Sequence, residues 1–307
     1  MKQTRHSSTY AALVAAVVFW GLSFVATKVA LESLPTFTLV FFRFSIAACL
    51  FLFLMVYRGF PSFTGKNHAK ILLIALFQPG LYFTFETTGL QHTSAPKAAL
   101  IIATIPVVVF IFSAIFLKEP ANITRLFGIG LSLVGITILV VGDPKFSRGM
   151  EGQLLGDLLI FGAVVSAALY MICARDLGQS HSALDITGMQ VIYGAVFFAP
   201  AFLWELPGIE WSAISDRSLW ALAYLTLFAT IAAFLCYNHA LTRIHASRAA
   251  VFINGIPVVT AFGAWILLGE TLTLLQICGG VLVLFAVSLT NLTTDRAVPE
   301  KIEVSLS

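Results

Sequence analysis

Apolar residues fill ten runs of about twenty positions each, separated by short segments that carry charged residues, prolines or glycines. A helix that crosses a hydrocarbon core about 30 Å thick needs about 20 mainly apolar residues. The pattern therefore predicts ten transmembrane helices, near residues 10–31, 36–57, 70–91, 94–117, 122–141, 154–174, 183–204, 218–241, 247–268 and 272–291. Because backbone groups in lipid must be paired within the helices themselves, we expect an all-α integral membrane protein.

The composition excludes a water-soluble globule. Hydrophobic residues occupy 59% of the 307 positions and charged residues only 11%, whereas soluble domains average about 45–50% and about 25%. The net charge is +3, but the excess cations lie in short loops between apolar runs, which argues against nucleic acid as a partner. The lipid bilayer is the expected surrounding of nearly the whole chain.

The distribution of Lys and Arg predicts the orientation. An even number of spans places both termini on one side, and if that side is the cytoplasm, twelve cations face inward and five face outward. Cations are enriched in cytoplasmic loops, so we expect a multi-pass protein of the inner (plasma) membrane with both termini, including a tail at 292–307, in the cytoplasm. The first run is too long for a signal-peptide core, so we interpret it as a retained span.

The chain contains an internal repeat. Residues 90–119 match residues 241–270 at an offset of 151, with twelve identical positions that include a mid-span proline (Pro106 and Pro257) and a helix-terminal glutamate (Glu119 and Glu270). The first spans align at an offset of 147. Apolar composition alone does not explain a proline and a glutamate that align in the same frame.

Each repeat holds five spans, residues 10–141 in the first and 154–291 in the second. Because five is odd, the second repeat must enter the membrane from the opposite side, so we predict two inverted five-helix repeats. Inverted repeats can exchange conformations and open a central site first to one side and then to the other, which predicts a transporter that works by alternating access. The alternative is a membrane receptor or scaffold that has this duplicated fold without flux.

The same motifs carry a resemblance to a known family. Two copies with a mid-span proline, then Leu-Lys-Glu119 or Leu-Gly-Glu270, then a glycine-bearing span resemble the paired EamA units of the drug/metabolite transporter superfamily. The segments Trp20-Gly21-Leu22-Ser23-Phe24 and Phe42-Arg43-Phe44 are similar to the same pattern, and the resemblance covers residues 10–291. It implies a ten-helix exporter or exchanger of small metabolites, often amino acids and their analogues, in a bacterial inner membrane.

Glu86 is the one carboxylate well inside the third span, where an ionisable group is costly and usually functional. Its i, i+4 spacing places it on one helical face with Tyr82 and Gln78. Two functions are open for it: uptake of a proton for coupling, and binding of a substrate amino group. The alternative is a structural acid that snorkels to the interface or pairs with Arg43 or Lys97.

Arg43 lies inside the second span, and the 147 offset places it opposite the uncharged Gln190. Its guanidinium would hold a substrate carboxylate by two hydrogen bonds. The alternative is a structural pair that closes the outer side, and we assign the same structural or gating role to Lys97.

Pro106 and Pro257 each remove a backbone donor halfway along a span. Their symmetric placement predicts two hinges, and the alternative is two static kinks.

Polar and aromatic side chains also come from corresponding spans of both repeats. Such groups at membrane depth need partners, and together with Tyr82 and Glu86 they predict the wall of a substrate cavity: Trp20, Ser23, Tyr170, Tyr237 and Asn254. Each one taken alone is better explained as a helix–helix contact.

The chain carries no recognisable motif of an enzyme. HExxH, GxSxG and GxxxxGK are absent, so we expect no catalytic activity and no cofactor. The histidines and cysteines are scattered, which predicts no metal site. The expected partners are a small-molecule substrate, the lipid bilayer and, for coupling, protons.

Overall fold

The structure, a computed structural model, describes residues 2–90, 92, 101–120, 122–142, 154–269 and 272–292. Within these residues it contains ten helical spans and no strand. In chain order the spans are α1 (Lys2–Ala30), α2 (Thr36–Arg58), α3 (Gly65–Ala75, Leu76–Leu81 and Tyr82–Leu90), α4 (Ile105–Phe116), α5 (Ile123–Val141), α6 (Leu154–Leu177), α7 (Ala183–Glu205), α8 (Asp216–Tyr224, Leu225–Ala232 and Ala233–Leu241), α9 (Ala246–Val251, Phe252–Gly255 and Ile256–Leu268) and α10 (Leu274–Leu292).

These helices confirm the predicted fold class. Among the described residues, eight helices are long and apolar enough to cross a membrane, and two more are shorter apolar helices. The predicted spans agree with the observed helices to within a few residues at most ends, whereas the first part of span four and the tail 293–307 lie outside the described residues.

Three tryptophans are exposed around the junction of α7 and α8: Trp204, Trp211 and Trp220. This exposure is expected for residues at the boundary between lipid and water.

The two repeats interlock. The first span of each repeat packs against the third and fourth spans of the other, because α1 contacts α8 and α9 while α6 contacts α3 and α4. Equivalent spans also pack directly on each other, α2 on α7 and α5 on α10. This exchange of neighbours is the arrangement that two inverted repeats produce about an axis in the membrane plane.

Three spans change helix type inside the bundle. Leu76–Leu81 in α3 is a kinked segment that joins two helices, Leu225–Ala232 in α8 is π-helical, and Phe252–Gly255 in α9 is a 3-10 turn. At the offset of 151 the kinked segment of α3 corresponds to residues 227–232, inside the π-helical segment of α8. The break in α3 is the sharpest, since Gln78 has an extended backbone (φ −147°, ψ 117°) before Pro79. Breaks at membrane depth are tolerated only where neighbouring groups pair with the freed backbone.

The expectation that Pro106 and Pro257 each remove a hydrogen-bond donor from the middle of a helix is wrong. Each proline stands in the first turn of a new helical segment, in α4 and in the last part of α9. At that position the missing N–H would have no helical partner anyway, so proline is favourable there. A turn at residues 103–104 and the 3-10 turn of α9 precede the two prolines at equivalent places. Each proline therefore begins a helical segment, and its function as a hinge stays a prediction.

Glycines allow α5 and α10 to approach closely. A Cβ atom at Gly279 would lie 2.6 Å from the backbone nitrogen of Leu139 and 2.7 Å from the carbonyl oxygen of Gly135. Backbone atoms cannot move aside as a flexible side chain can, so glycine alone fits at this crossing. Small residues at the contact are typical of membrane helix pairs.

Gly279→Ala should destabilise the protein, because the added methyl group meets backbone atoms of α5. We expect a loss of about 1–3 kcal/mol in the free energy of unfolding, the usual cost of overpacking, measured as a lower unfolding temperature in detergent. The matched control is Gly130→Ala on α5, where a Cβ would meet nothing within 4 Å. Equal unfolding temperatures of the two variants would contradict this packing.

Candidate functional site

Two side chains pair with the backbone of the kinked segment in α3 and of the π-helical segment in α8. The Gln190 amide in α7 donates to the carbonyl oxygen of Gln78 at 2.8 Å. The indole N–H of Trp20 in α1 donates to the carbonyl oxygen of Ala229 at 3.0 Å. Gln78 and Ala229 are equivalent positions at the offset of 151, and in both cases the donor belongs to the other repeat. Each repeat therefore provides a hydrogen bond to the irregular segment of its counterpart.

Arg43 contacts the same segment of α8. It is buried, its Nε donates to Thr230 Oγ1, and its guanidinium carbon lies 5.4 Å from the centroid of the Phe83 ring and 5.6 Å from that of Phe44. Both distances suit a cation–π contact. Arg43 and Gln190 are equivalent at the offset of 147, and both reach the broken third span of the opposite repeat. They occupy the same structural position with different charge.

Glu86 lies in the second half of α3, and the Tyr82 hydroxyl donates to Glu86 Oε1 at 3.2 Å. This contact is the one that i, i+4 spacing predicts, but the inclusion of Gln78 on the same face is wrong, because the break before Pro79 takes Gln78 out of the helical register. Glu86 and Arg43 attract each other electrostatically, yet no salt bridge within 4.0 Å joins these two described residues.

Trp20 lies in an aromatic cluster beside this segment. Its ring centroid is 5.1 Å from that of Tyr237 and 5.5 Å from that of Phe234, within the range of favourable aromatic pairs. Tyr237 is fully buried. Ser23, expected on a cavity wall, donates its hydroxyl to the carbonyl oxygen of Trp20 in its own helix at 2.7 Å. Trp20 of α1 therefore packs against α8, beside Thr230, the residue that Arg43 contacts.

Tyr170 belongs to a buried hydrogen-bond network that supports Gln190. The Tyr170 hydroxyl donates to Asn238 Oδ1 at 2.8 Å. The Asn238 amide in turn donates to Gln190 Oε1 at 3.0 Å and to Thr187 Oγ1 at 2.9 Å. Because Tyr170 is fully buried, its contact with the site is made through this network, which connects α6, α7 and α8 to the break in α3.

Asn254 lies elsewhere, in the 3-10 turn of α9. Its amide donates to Ser132 Oγ in α5 at 2.6 Å, and its Oδ1 atom is buried without a hydrogen-bond partner. Within the described part of the chain, no hydrogen bond or ring contact joins Asn254 to Glu86 or Trp20. The structure thus brings together Trp20, Tyr237, Arg43, Tyr82 and Glu86 around α8 and α3, and it leaves Asn254 outside that group.

Glu119 belongs to the first repeat, and its side chain caps the start of α9 in the second repeat. Its carboxylate accepts hydrogen bonds from the backbone N–H groups of Ala246 at 2.7 Å and Ser247 at 3.3 Å, and from the Ser247 hydroxyl at 2.7 Å. Burial raises the pKa of Glu119, but hydrogen bonds from His245, Ser247 and Ala246 outweigh it and lower the pKa to about 2. The carboxylate is therefore a permanent helix cap. Glu270 and Lys97 lie outside the described residues.

Sequence reasoning missed Ala229, Thr230 and Glu205. Ala229 contributes only its carbonyl oxygen, so no side-chain pattern could mark it. Pro79 inside the third span was a usable signal of a break, and its alignment with Thr230 would have directed attention to α8. Glu205 accepts hydrogen bonds from the backbone of Thr38 across 167 residues of sequence, a distance that no local pattern spans.

Comparisons with known proteins agree with this architecture. Residues 7–141 and 154–292 each match the EamA-like transporter family. An "uncharacterized transporter" of Archaeoglobus fulgidus is 29% identical over 276 residues, which cover 90% of this chain and 95% of that protein. The "uncharacterized transporter YetK" of Bacillus subtilis is 27% identical, with 90% and 84% covered. A crystal structure of a protein with 17% identity matches with a TM-score of 0.79, over 93% of this chain and 98% of that chain.

Gln190→Leu should destabilise the protein, because it removes the side-chain donor to the Gln78 carbonyl oxygen and one of the two hydrogen bonds that the Asn238 amide donates. An unsatisfied buried group costs about 1–3 kcal/mol, so we expect a clear decrease in unfolding temperature. Gln179→Leu is the control, since Gln179 is exposed and its amide donates only to the Arg175 carbonyl oxygen one turn away. If both variants unfolded like the parent, Gln190 would not support the break.

Proposed function

Because the chain belongs to the EamA-like transporter family, we propose that it exports or exchanges small amphipathic metabolites, amino acids or their analogues, across the plasma membrane by alternating access. The relatives to which the chain is similar are also named transporters. The substrate class and the direction are our proposal, and they rest on the groups around α3 and α8.

One observation carries the proposal. Arg43 and Glu86 are opposite charges within the membrane-spanning region that attract each other without forming a salt bridge. Two such charges are costly in lipid, and a zwitterion placed between them would pair with both. A substrate carboxylate would accept two hydrogen bonds from the guanidinium of Arg43, and the substrate ammonium would donate to Glu86.

The surrounding residues suit this pose. Thr230 fixes the Nε atom of Arg43 and leaves its terminal nitrogens for a carboxylate. The Tyr82 hydroxyl orients Glu86, and Trp20 supplies aromatic surface beside the π-helical segment of α8, with the buried Tyr237 packed against it. Ser23, Tyr170 and Asn254 then act through packing and hydrogen bonds within the bundle.

Glu86 would also couple transport to protons. A carboxylate that binds a substrate ammonium must release its own proton first, so proton and substrate would compete for one group. This competition makes uphill export depend on the proton gradient. The symmetric breaks before Pro106 and Pro257 are the places where the two repeats would bend between inward-open and outward-open conformations.

Glu86→Gln tests the proposal, because it keeps the size of the side chain and removes its charge. Purified protein in proteoliposomes should move amino acids from a panel, and Glu86→Gln should lose uphill flux and weaken substrate binding about tenfold or more, the loss of a charge-assisted contact. The control is Glu32→Gln, since Glu32 is half exposed and lies 3.9 Å from Arg217. We expect that control to transport like the parent.

Two results would contradict the proposal. Unchanged uphill flux in Glu86→Gln would make Glu86 a structural acid. Thermal stabilisation of the protein by an amino acid, together with no flux in proteoliposomes, would instead favour a receptor that has kept the transporter fold. Binding is detected in that assay because a ligand of the folded state raises the unfolding temperature by mass action.

We also propose that both termini lie in the cytoplasm, since twelve cations against five favour that side. A reporter enzyme that is active only outside the cytoplasm should be inactive when fused after Ser307. The control fusion, after Gly208 between α7 and α8, should be active. The reverse pattern would invert the assigned orientation.

A further inference from the structure

The first part of α9, Ala246–Val251, closes one end of the helix bundle. Its main partner is α4, whereas the main partner of the last part, Ile256–Leu268, is α1. Every residue from 246 to 255 is buried, and the residues from 256 to 261 are only half-buried. The 3-10 turn at Phe252–Gly255 separates the two parts. The bundle is therefore packed most tightly where α9 begins, at the end that the cation count assigns to the cytoplasm.

A serine at this end is held between two charges of the first repeat. The Ser247 hydroxyl donates to Glu119 Oε2 at 2.7 Å and accepts from Arg125 Nη1 at 2.6 Å. The backbone N–H groups of Ala246 and Ser247 donate to the same carboxylate. Ser247 and Arg125 are 1% and 0% exposed, so water does not compete for these contacts. We call Glu119, Arg125 and Ser247 the Ser247 latch.

The donors of the latch are not repeated in the sequence. At the offset of 151 the residue equivalent to Ser247 is Pro96, which has neither an N–H nor a hydroxyl group, and the residue equivalent to Arg125 is Gln276. Only the glutamate is kept, as Glu270. A contact needed simply to hold a duplicated scaffold together would be expected in both repeats. A contact that one repeat lacks instead favours one of two conformations over the other.

Opening this end of the bundle would break the latch. Its charges lie before and within the start of α5 in the first repeat, and its serine lies in the second repeat, so movement of one repeat against the other separates them. Hydrogen bonds to charged groups are stronger than those between neutral groups, so the latch stabilises the closed form. Protonation does not release the Glu119 carboxylate, because its pKa is about 2. Movement of α9 must do so.

We propose that the Ser247 latch holds the transporter closed to the cytoplasm and opens in each cycle before the groups around Arg43 and Glu86 are reached from that side. The inference rests on the proposed alternating access, since a protein without that cycle has no need to open this end. The latch shifts the equilibrium between two conformations by the free energy of contacts that exist in only one of them. Weakening it should therefore increase the inward-open population.

Ser247→Ala tests the proposal, because it removes the hydroxyl and leaves the backbone N–H groups. The four native cysteines are replaced by alanine, and Ala249→Cys, Ala250→Cys and Val251→Cys are introduced one at a time. These three buried neighbours point to different sides of the helix. A membrane-impermeant maleimide is then added to inside-out vesicles. We expect Ser247→Ala to raise the labelling rate about tenfold at one or more of these positions, as a tenfold larger open fraction requires.

Ser218→Ala is the matched control. Ser218 is also buried, and its hydroxyl donates to the carbonyl oxygen of Val29 in the other repeat at 3.0 Å, at the opposite end of the bundle. This variant should leave the labelling rate unchanged. Glu119→Gln is a second test variant, which keeps the size of the side chain and removes its charge, and it should raise the rate as Ser247→Ala does. The unfolding temperature in detergent checks the folding of each variant, and Glu119→Gln decides the test if Ser247→Ala does not fold.

Two outcomes would overturn the proposal. Unchanged labelling in the folded Ser247→Ala and Glu119→Gln variants would make these contacts a static helix cap. An equal increase in Ser218→Ala would mean that the loss of any buried hydroxyl loosens the bundle. The labelling needs no substrate, so both results are distinguishable from a failure of the proposed function, which would appear as an absence of flux in proteoliposomes of the parent protein.

Discussion

The structure depends on one constraint, that every backbone group freed inside the membrane must find a partner within the protein, because lipid offers none. The third span of each repeat departs from α-helical geometry at equivalent positions, by a kink in α3 and a π-helical segment in α8, and an unpaired carbonyl there would cost about 1–3 kcal/mol. Gln190 and Trp20 remove that cost by bonding Gln78 and Ala229. Because both donors come from the opposite repeat, each half supports the irregular segment of the other.

The same reciprocity operates at the helix ends. Glu119 of the first repeat caps α9 of the second, and Glu205 of the second caps α2 of the first. A carboxylate at a helix N-terminus pairs with free N–H groups and complements the helix dipole. The interlocked packing of α1 on α8 and α9, and of α6 on α3 and α4, is therefore supplemented by polar contacts that all cross between the repeats.

Much of this architecture could be predicted from hydropathy and self-similarity, since length and apolarity decide which segments cross a membrane. The contact of Tyr82 with Glu86 was also predictable, because it depends only on local helical spacing. Predictions from helical spacing were wrong where a helix ends. Gln78 does not share the helical face of Tyr82 and Glu86, and Pro106 and Pro257 lie at the start of helical segments. The partners of Arg43 and Gln190 were not predictable, because they join residues that are far apart in sequence and include backbone atoms.

The differences between the repeats locate the proposed chemistry better than their similarities do. Pro106 and Pro257 are an identical pair that begins equivalent helical segments, and Glu119 aligns in sequence with an identical residue, Glu270. A substrate with one ammonium and one carboxylate has no twofold symmetry, so a site near the axis must break the symmetry of the protein. Arg43 stands opposite Gln190, and Glu86 stands opposite Tyr237 at the offset of 151. In each pair the first repeat carries the charge, and its uncharged counterpart in the second repeat contributes a hydrogen bond or an aromatic face. The two repeats thus share one scaffold, and the charges that a zwitterion requires are concentrated in the first.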